Sequence, residues 1–371
     1  MLSLIELWTL IFLSINFVNW SLINMNKPNL FRYATKELSQ DAFFCWLLEW
    51  AQQEYHLEPE YNTAMCLMNM IFQKGKKELP EKIESVKIKK QYKGIDILCI
   101  VNDRYAIIIE DKVYSNTHSD QLERYRAIMS SDFKNYEIIL IYLKTGVGIE
   151  YKHAEQQNYA VINRGELIKI LTEYNSKNTI LLDFREHIIE MEDKYSSFKN
   201  VELNKWTAES WSGFFEFLKG KIENSNWGKY HTGDNQYFHY GWRYVNNSGL
   251  EYDSYMEVKS KKLCFRLSFD GYPNDFEYRR KCYDHWKSLI SPILDKENIK
   301  VVPYTPTTRT RYQTVVQYAN DFRISNDTGI IDIERTIELM QKCGSIVENL
   351  SNQLKMLAYY DKYHFFFQAI I

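Results

Sequence analysis

The chain lacks the signatures that announce many enzyme classes. Its six cysteines, at positions 45, 66, 99, 264, 282 and 343, form no C-x-x-C pair, and no His/Cys cluster has zinc spacing. A disulfide framework and a structural zinc site are therefore set aside, and the thiols, several of them within apolar runs, read as reduced residues of a cytoplasmic protein. There is no G-x-x-x-x-G-K-[ST] loop to cradle ATP phosphates and no G-x-S-x-G nucleophile elbow. No internal repeat or low-complexity tract occurs, and the eight histidines are scattered. The net charge is only −2, so the surface as a whole is not a polyanion magnet, and any nucleic-acid contact needs local basic patches.

A length of 371 residues exceeds one ordinary domain, so two domains or a core with a large extension are expected. Residues 1–24 form an apolar stretch that Thr9, Ser14, Asn16, Asn19 and Ser21 interrupt, with no Lys or Arg before Lys27. It suits neither a signal peptide nor a membrane helix well. It reads as an extension upstream of a natural start at Met25, with a membrane anchor as the competing reading. The polar stretch Ser196 to Asn204 is the expected boundary, giving domains 25–195 and 196–371.

What the chain does have is charge in costly places. Ile95 to Val101 and Tyr105 to Val113 are rich in β-branched residues, as strands are, with Asn102, Asp103 and Arg104 as a hairpin loop between them. If Val101 pairs with Tyr105, Asp96 falls across from Glu110, Leu98 across from Ile108 and Ile100 across from Ala106. Opposed residues have Cβ atoms roughly 5 Å apart, close enough for two carboxylates to share a cation. Lys112, two positions after Glu110, faces the same side, and Asp111 the other. Acids in strands this apolar call for a partner or a metal. Mg²⁺ often takes one or two carboxylates with water and substrate phosphate, and it activates the bound water for phosphodiester attack. The lysine would then orient or deprotonate that water, or stabilise the phosphorane. A structural acid–lysine pair at a hairpin end is the plainer alternative.

Thr117 to Asp120 reads as a helix start, with Gln121 and Tyr125 one turn apart on one face. Gln121 either reaches back to the Glu110 strand or faces solvent. Upstream, Glu37, Gln40, Asp41 and Phe44 share one side of a helix whose run Ala42 to Leu48 is apolar almost all round. The helix dipole alone accounts for an acid such as Asp41 in the first turn, whereas Glu37 is the stronger candidate for the site.

The order helix, strand, Asp-strand, Glu-x-Lys strand, Gln-bearing helix, strand resembles the PD-(D/E)XK nuclease superfamily. The segments that carry this likeness are Glu37-Leu38-Ser39-Gln40-Asp41-Ala42-Phe43, then Asp96, Ile109-Glu110-Asp111-Lys112 and Gln121-Leu122-Glu123-Arg124-Tyr125. They look like the uncharacterised bacterial branch of that superfamily, over about residues 30 to 195. The resemblance implies an α/β fold with a restriction-endonuclease-like αβββαβ core, here followed by a C-terminal α+β domain. It implies Asp96 and Glu110 as ligands of Mg²⁺, with Mn²⁺ as a substitute, Lys112 as the catalytic lysine, Gln121 as the helix-borne accessory residue and Glu37 as the acid from the first helix. The implied partner is nucleic acid, DNA before RNA, the implied setting is defence against foreign DNA, and a homodimer is open. Ile95 stands where the motif's name has proline, which many members lack. Since some members have lost activity, a nucleic-acid-binding scaffold on the same fold is the alternative.

Basic candidates for a nucleic-acid surface are Lys82, Lys87, Lys89, Lys90 and Lys93, then Lys259, Lys261 and Lys262, Arg279, Arg280 and Lys281, and Arg309 and Arg311. Lys87 and Lys89 equally suit a protected edge strand. Further strands are expected at Glu137 to Leu143, Tyr159 to Ile162, Tyr255 to Val258, Leu263 to Phe269 and Thr310 to Tyr318. Helices are expected at Gly165 to Tyr174, Thr179 to Tyr195, Trp211 to Ile222, Phe276 to Leu289 and Asp332 to Tyr360. Tryptophans 206, 211, 227, 242 and 286 can stack bases but more often build a core.

Overall fold

The computed structural model describes residues 28–113, 121–146, 152–222, 225–232, 235–245, 252–259, 261–272, 275–304 and 311–368. The chain divides between Met191 and Glu192 into two compact units. The apolar stretch 1–24 and the expected helix start at Thr117 lie outside the described residues. Among the described residues, no helix is long and apolar enough to cross a membrane.

The first unit opens with helices α1 (Glu37–Glu49) and α2 (Pro59–Lys74), followed by strands β1 (Val86–Tyr92), β2 (Ile95–Val101) and β3 (Tyr105–Lys112). Helix α3 (Gln121–Asp132) leads to β4 (Glu137–Lys144), and a short α4 (Lys152–Gln156) to β5 (Ala160–Asn163). Helix α5 (Arg164–Glu173) follows, and helix α6 (Thr179–Ser196) contains the division between the two units. The strands form one mixed sheet in the order β1-β2-β3-β4-β5. β1, β2 and β3 pair antiparallel, whereas β3, β4 and β5 pair parallel.

Two tight turns fix the antiparallel half. Tyr92 pairs with Ile95 across the two-residue turn Lys93-Gly94, whose φ values of 51° and 89° are the left-handed pair that suits a right-twisted hairpin. Val101 pairs with Tyr105 across Asn102 to Arg104, where Asn102 and Asp103 take the left-handed conformation that their short polar side chains tolerate. The Asn102 side chain ties the loop down by accepting the Glu84 and Ser85 N–H groups and donating to the Lys82 carbonyl. The parallel step from β3 to β4 needs a crossover, and α3 supplies it.

Both faces of this sheet are covered. Leu98, Ile100, Ala106 and Ile108 pack with Leu122, Tyr125 and Met129 of α3. On the other face α1 lies against β1 to β3, and α2 against β4. A strand dry on both sides reads as a continuous apolar run, and all eight residues of β3 are buried. β1 is one edge strand of this sheet, and Lys87, Lys89 and Lys90 stand exposed on it, as edge protection would have them.

The second unit contains α7 (Ala208–Lys219), β6 (Ser225–Thr232), β7 (Asn235–Val245), β8 (Asp253–Lys259), β9 (Lys262–Ser268), α8 (Phe276–Lys296), β10 (Val301–Pro303), β11 (Tyr312–Tyr318) and α9 (Ile333–Gln368). Its strands form an antiparallel sheet in the order β10-β11-β9-β8-β7-β6. Phe265, Leu267, Phe214, Trp286, Ile290 and Val347 join strands and helices in one core. One sequence expectation needs correction here. Helix α8 runs past Leu289 through Pro292, because Ile290 and Leu294 continue its buried stripe. The β6–β7 hairpin stands where the sequence predicts no element, because its mixed polar and aromatic residues carry no clear alternation. Of the tryptophans, Trp286 is core, and Trp206 and Trp211 sandwich the Arg323 guanidinium at 4.6 and 4.3 Å from their rings.

Candidate active site

Strand alternation assembles the charged cluster. β2 and β3 pair from Ile97 with Ile109 through Val101 with Tyr105. One step further along that register, Asp96 stands across from Glu110. Here the Asp96 side chain replaces the ladder: its Oδ2 accepts the Asp111 N–H at 3.1 Å. Lys112 then completes the row. Its Nζ lies 2.5 Å from Glu110 Oε1 and 3.7 Å from Asp96 Oδ2, and it also donates to the Asp111 carbonyl at 3.1 Å.

The other two candidates sit differently. Glu37, at the start of α1, accepts the Val113 N–H at 3.0 Å and adds to the negative potential at Lys112. Gln121, at the start of α3, donates to the Tyr125 hydroxyl at 2.6 Å, and that hydroxyl donates to the Gly94 carbonyl. Its described bond therefore runs to the β1–β2 turn, through Tyr125, rather than to Lys112.

Burial sets the protonation of this cluster. Glu110 is fully buried. Burial first, and then the Asp96 charge, push its pKa from 4.5 to about 8, against the pull of Lys112. Burial would lower Lys112, yet the Glu110 and Asp96 carboxylates outweigh it and hold the ammonium above its usual range. Glu110 Oε1 takes the Lys112 ammonium at 2.5 Å with the Asp96 carboxyl close by, while Oε2 has no hydrogen-bond partner among the described residues. A dry, under-bonded carboxylate beside a second one is a donor set suited to a hard cation completed by water and phosphate. Among the described residues, no group of three or more His, Cys, Asp or Glu side chains could hold a metal ion, so an all-protein cage does not fit.

Three groups at the site escaped sequence reasoning. Lys144 ends β4 in parallel register with Lys112 and is 6 % exposed. The expected strand stopped at Leu143, although Lys144 terminates an apolar run much as Lys112 does. Gln91 of β1 donates to Asp96 Oδ1 at 3.1 Å. Behind the cluster, on the face covered by α1, Asp111 meets Gln40 at 2.5 Å, and Gln40 also bonds Thr145 at 3.1 Å. Asp41 is buried there too, its pKa pushed up to about 6 by burial and then by Asp96. Asp111 is raised well above its ordinary value by burial and then by Asp41. The dipole explanation of Asp41 is therefore insufficient, because the side chain turns inward to Asp111. The shared side of Glu37, Gln40, Asp41 and Phe44 was the available signal.

The basic patches are partly spent. Lys87 pairs with Asp103 at 2.6 Å and Lys93 with Asp132 at 2.5 Å. Arg311 pairs with Asp270 at 3.2 Å, and Arg279 is buried and bonds the Asp275 carbonyl. Lys82, Lys89, Lys259, Lys261 and Lys262 are exposed, and Arg309 lies outside the described residues.

A family model described as the PD-(D/E)XK nuclease superfamily matches residues 28–226, more than half of the chain. No curated protein and no solved structure matches the chain.

Proposed function

The chain belongs to the PD-(D/E)XK nuclease superfamily, and from that premise we propose that it is a divalent-metal-dependent nuclease working in the cytoplasm. The observation that carries this reading is the convergence of Asp96, Glu110 and Lys112 at one end of β2 and β3, with the ammonium 2.5 and 3.7 Å from the two carboxylates. The five-stranded mixed sheet is read as the restriction-endonuclease-like αβββαβ core.

Asp96 and Glu110 would hold Mg²⁺, with Mn²⁺ as a substitute, and the ion would acidify a water and offset phosphate charge. The rest is the protein's own work. Lys112, held in its ammonium form by its acidic neighbours, orients the attacking water and stabilises charge building on the phosphate, rather than removing a proton. Glu37 fixes the strand end through Val113, and Gln121 fixes the β1–β2 turn through Tyr125. Lys144, the register partner of Lys112 on β4, is the second lysine that would serve a phosphate oxygen. DNA as the substrate and defence against foreign DNA as the role follow from the family resemblance.

Incubating the protein with plasmid DNA and with RNA, in Mg²⁺, Mn²⁺ or chelator, tests this. Metal-dependent cleavage is expected, and loss of it in Asp96→Ala and in Lys112→Ala. Cleavage that survives either substitution rules the site out. Binding without cleavage in the unaltered protein points to the scaffold reading.

A further inference from the structure

We propose that Gln91 is a positioning residue for the Asp96 carboxylate, held in a backbone conformation that serves the site rather than the strand. The proposal rests on the reading of Asp96 as a metal ligand. Lys90 pairs with Ile97 and Tyr92 with Ile95, which leaves Gln91 directly across from Asp96. Gln91 has φ +55°. Among the described residues it is the one non-glycine with positive φ inside a strand; Lys76, Lys93, Asn102, Asp103, Asn158 and Asn298 sit in hairpin turns or just after helix ends.

A left-handed backbone disfavours a side chain with a Cβ, and glycine would take it freely. Gln91 gains nothing from burial to offset this, because it is exposed. What it does gain is one contact: its Nε2 donates to Asp96 Oδ1 at 3.1 Å. The other oxygen, Oδ2, accepts the Asp111 N–H at 3.1 Å. One donor from β1 and one from β3 thus fix the plane of the carboxylate, and each oxygen keeps a lone pair for a cation. Strain that persists at one residue and is spent on one candidate ligand is the pattern expected of a functional position. Groups that orient a metal ligand in this way tune affinity for the ion, typically by about ten- to a hundredfold.

Calorimetric titration with Mn²⁺, in the absence of nucleic acid, tests this in the full-length protein. Gln91→Gly relieves the strain and removes the donor. Gln91→Met keeps length and strain and removes only the donor. Both are expected to weaken Mn²⁺ binding by about tenfold. Gln91→Gly is expected to melt at the same temperature as the unaltered protein or about 2–4 °C higher, and Gln91→Met at the same temperature. Unchanged affinity in both variants overturns the inference about Gln91 alone. A Gln91→Gly protein that is destabilised overturns the claim that the strain serves the site, while Gln91→Met still reads the hydrogen bond. Absence of Mn²⁺ binding in the unaltered protein, or full binding in Asp96→Ala, overturns the site reading and this inference with it.

Discussion

Replacing Glu110 with glutamine separates the interests of the fold from those of the chemistry. The carboxyl is fully buried, and burial followed by the Asp96 charge moves its pKa from 4.5 to about 8. At pH 7 the folded, metal-free protein therefore keeps a proton at Glu110 that the unfolded chain releases. At pH 7, about 2.5 units above the ordinary value of 4.5, holding that proton at about 1.4 kcal/mol per unit is roughly 3 kcal/mol of stability forgone. Glutamine has nearly the same shape and carries no such cost. Lys112 loses its partner at 2.5 Å and keeps Asp96 at 3.7 Å, which returns part of the gain.

Metal-free Glu110→Gln is thus expected to be as stable as the unaltered protein, or up to about 3 kcal/mol more stable, at pH 7. Cleavage should fall at least about a hundredfold, because the variant loses one of two charged oxygen donors. The rise in Tm on adding Mg²⁺ should vanish, since a ligand stabilises only the state that binds it. Thermal melts with and without Mg²⁺, run beside plasmid cleavage, give all three numbers. A variant that loses more than about 2 kcal/mol and still gains Tm from Mg²⁺ would refute the reasoning, since Glu110 would then be a structural partner of Lys112.

Three further outcomes are expected. Glu110 and Asp41 both hold protons above their ordinary values, so the stability they lend is whole below about pH 4. It is lost as pH rises through about 6 for Asp41 and about 8 for Glu110. In chelator, Tm should fall from pH 5 to pH 8.5, and Mg²⁺ should restore more of it at pH 8 than at pH 6; a flat or rising Tm refutes the assignment. Lys144→Ala should lower kcat/KM about tenfold with little change in circular dichroism, and unchanged kcat/KM would remove Lys144 from the site. In the second unit, a Cβ on Gly213 would strike the backbone carbonyl of Tyr195. Gly213→Ala should therefore cost about 3 kcal/mol or more in denaturant unfolding, and a midpoint equal to that of the unaltered protein would show that this segment can yield.

The β2–β3 hairpin was legible because two rules act on it together. A three-residue loop fixes which residues pair, and the period of two then fixes which side chains share a face. Asp96, Glu110 and Lys112 follow from counting. Lys144 did not, since a helical crossover leaves the register of a parallel neighbour open. Gln91 did not either, because nothing in Lys89-Lys90-Gln91-Tyr92 marks a left-handed residue before the turn. Asp41 looked like a dipole acid because helix position alone cannot say which acid turns inward. In the second unit, α8 overran its expected end because two more buried side chains outweigh a proline.

The places where local rules fail lie close together. Glu110 is a dry carboxylate with one oxygen unpartnered among the described residues, Asp41 and Asp111 bury two acids against each other, and Gln91 strains a strand to reach Asp96. Each would be relieved by an ordinary substitution: glutamine at 110, asparagine at 41 or 111, glycine at 91. A sequence that otherwise satisfies its sheet on both faces gains nothing in stability by keeping all four. Violations of this kind are expected at functional sites, where stability is given up for chemistry. Their clustering around one end of β2 and β3 ties the burden to the carboxylates that would hold the ion.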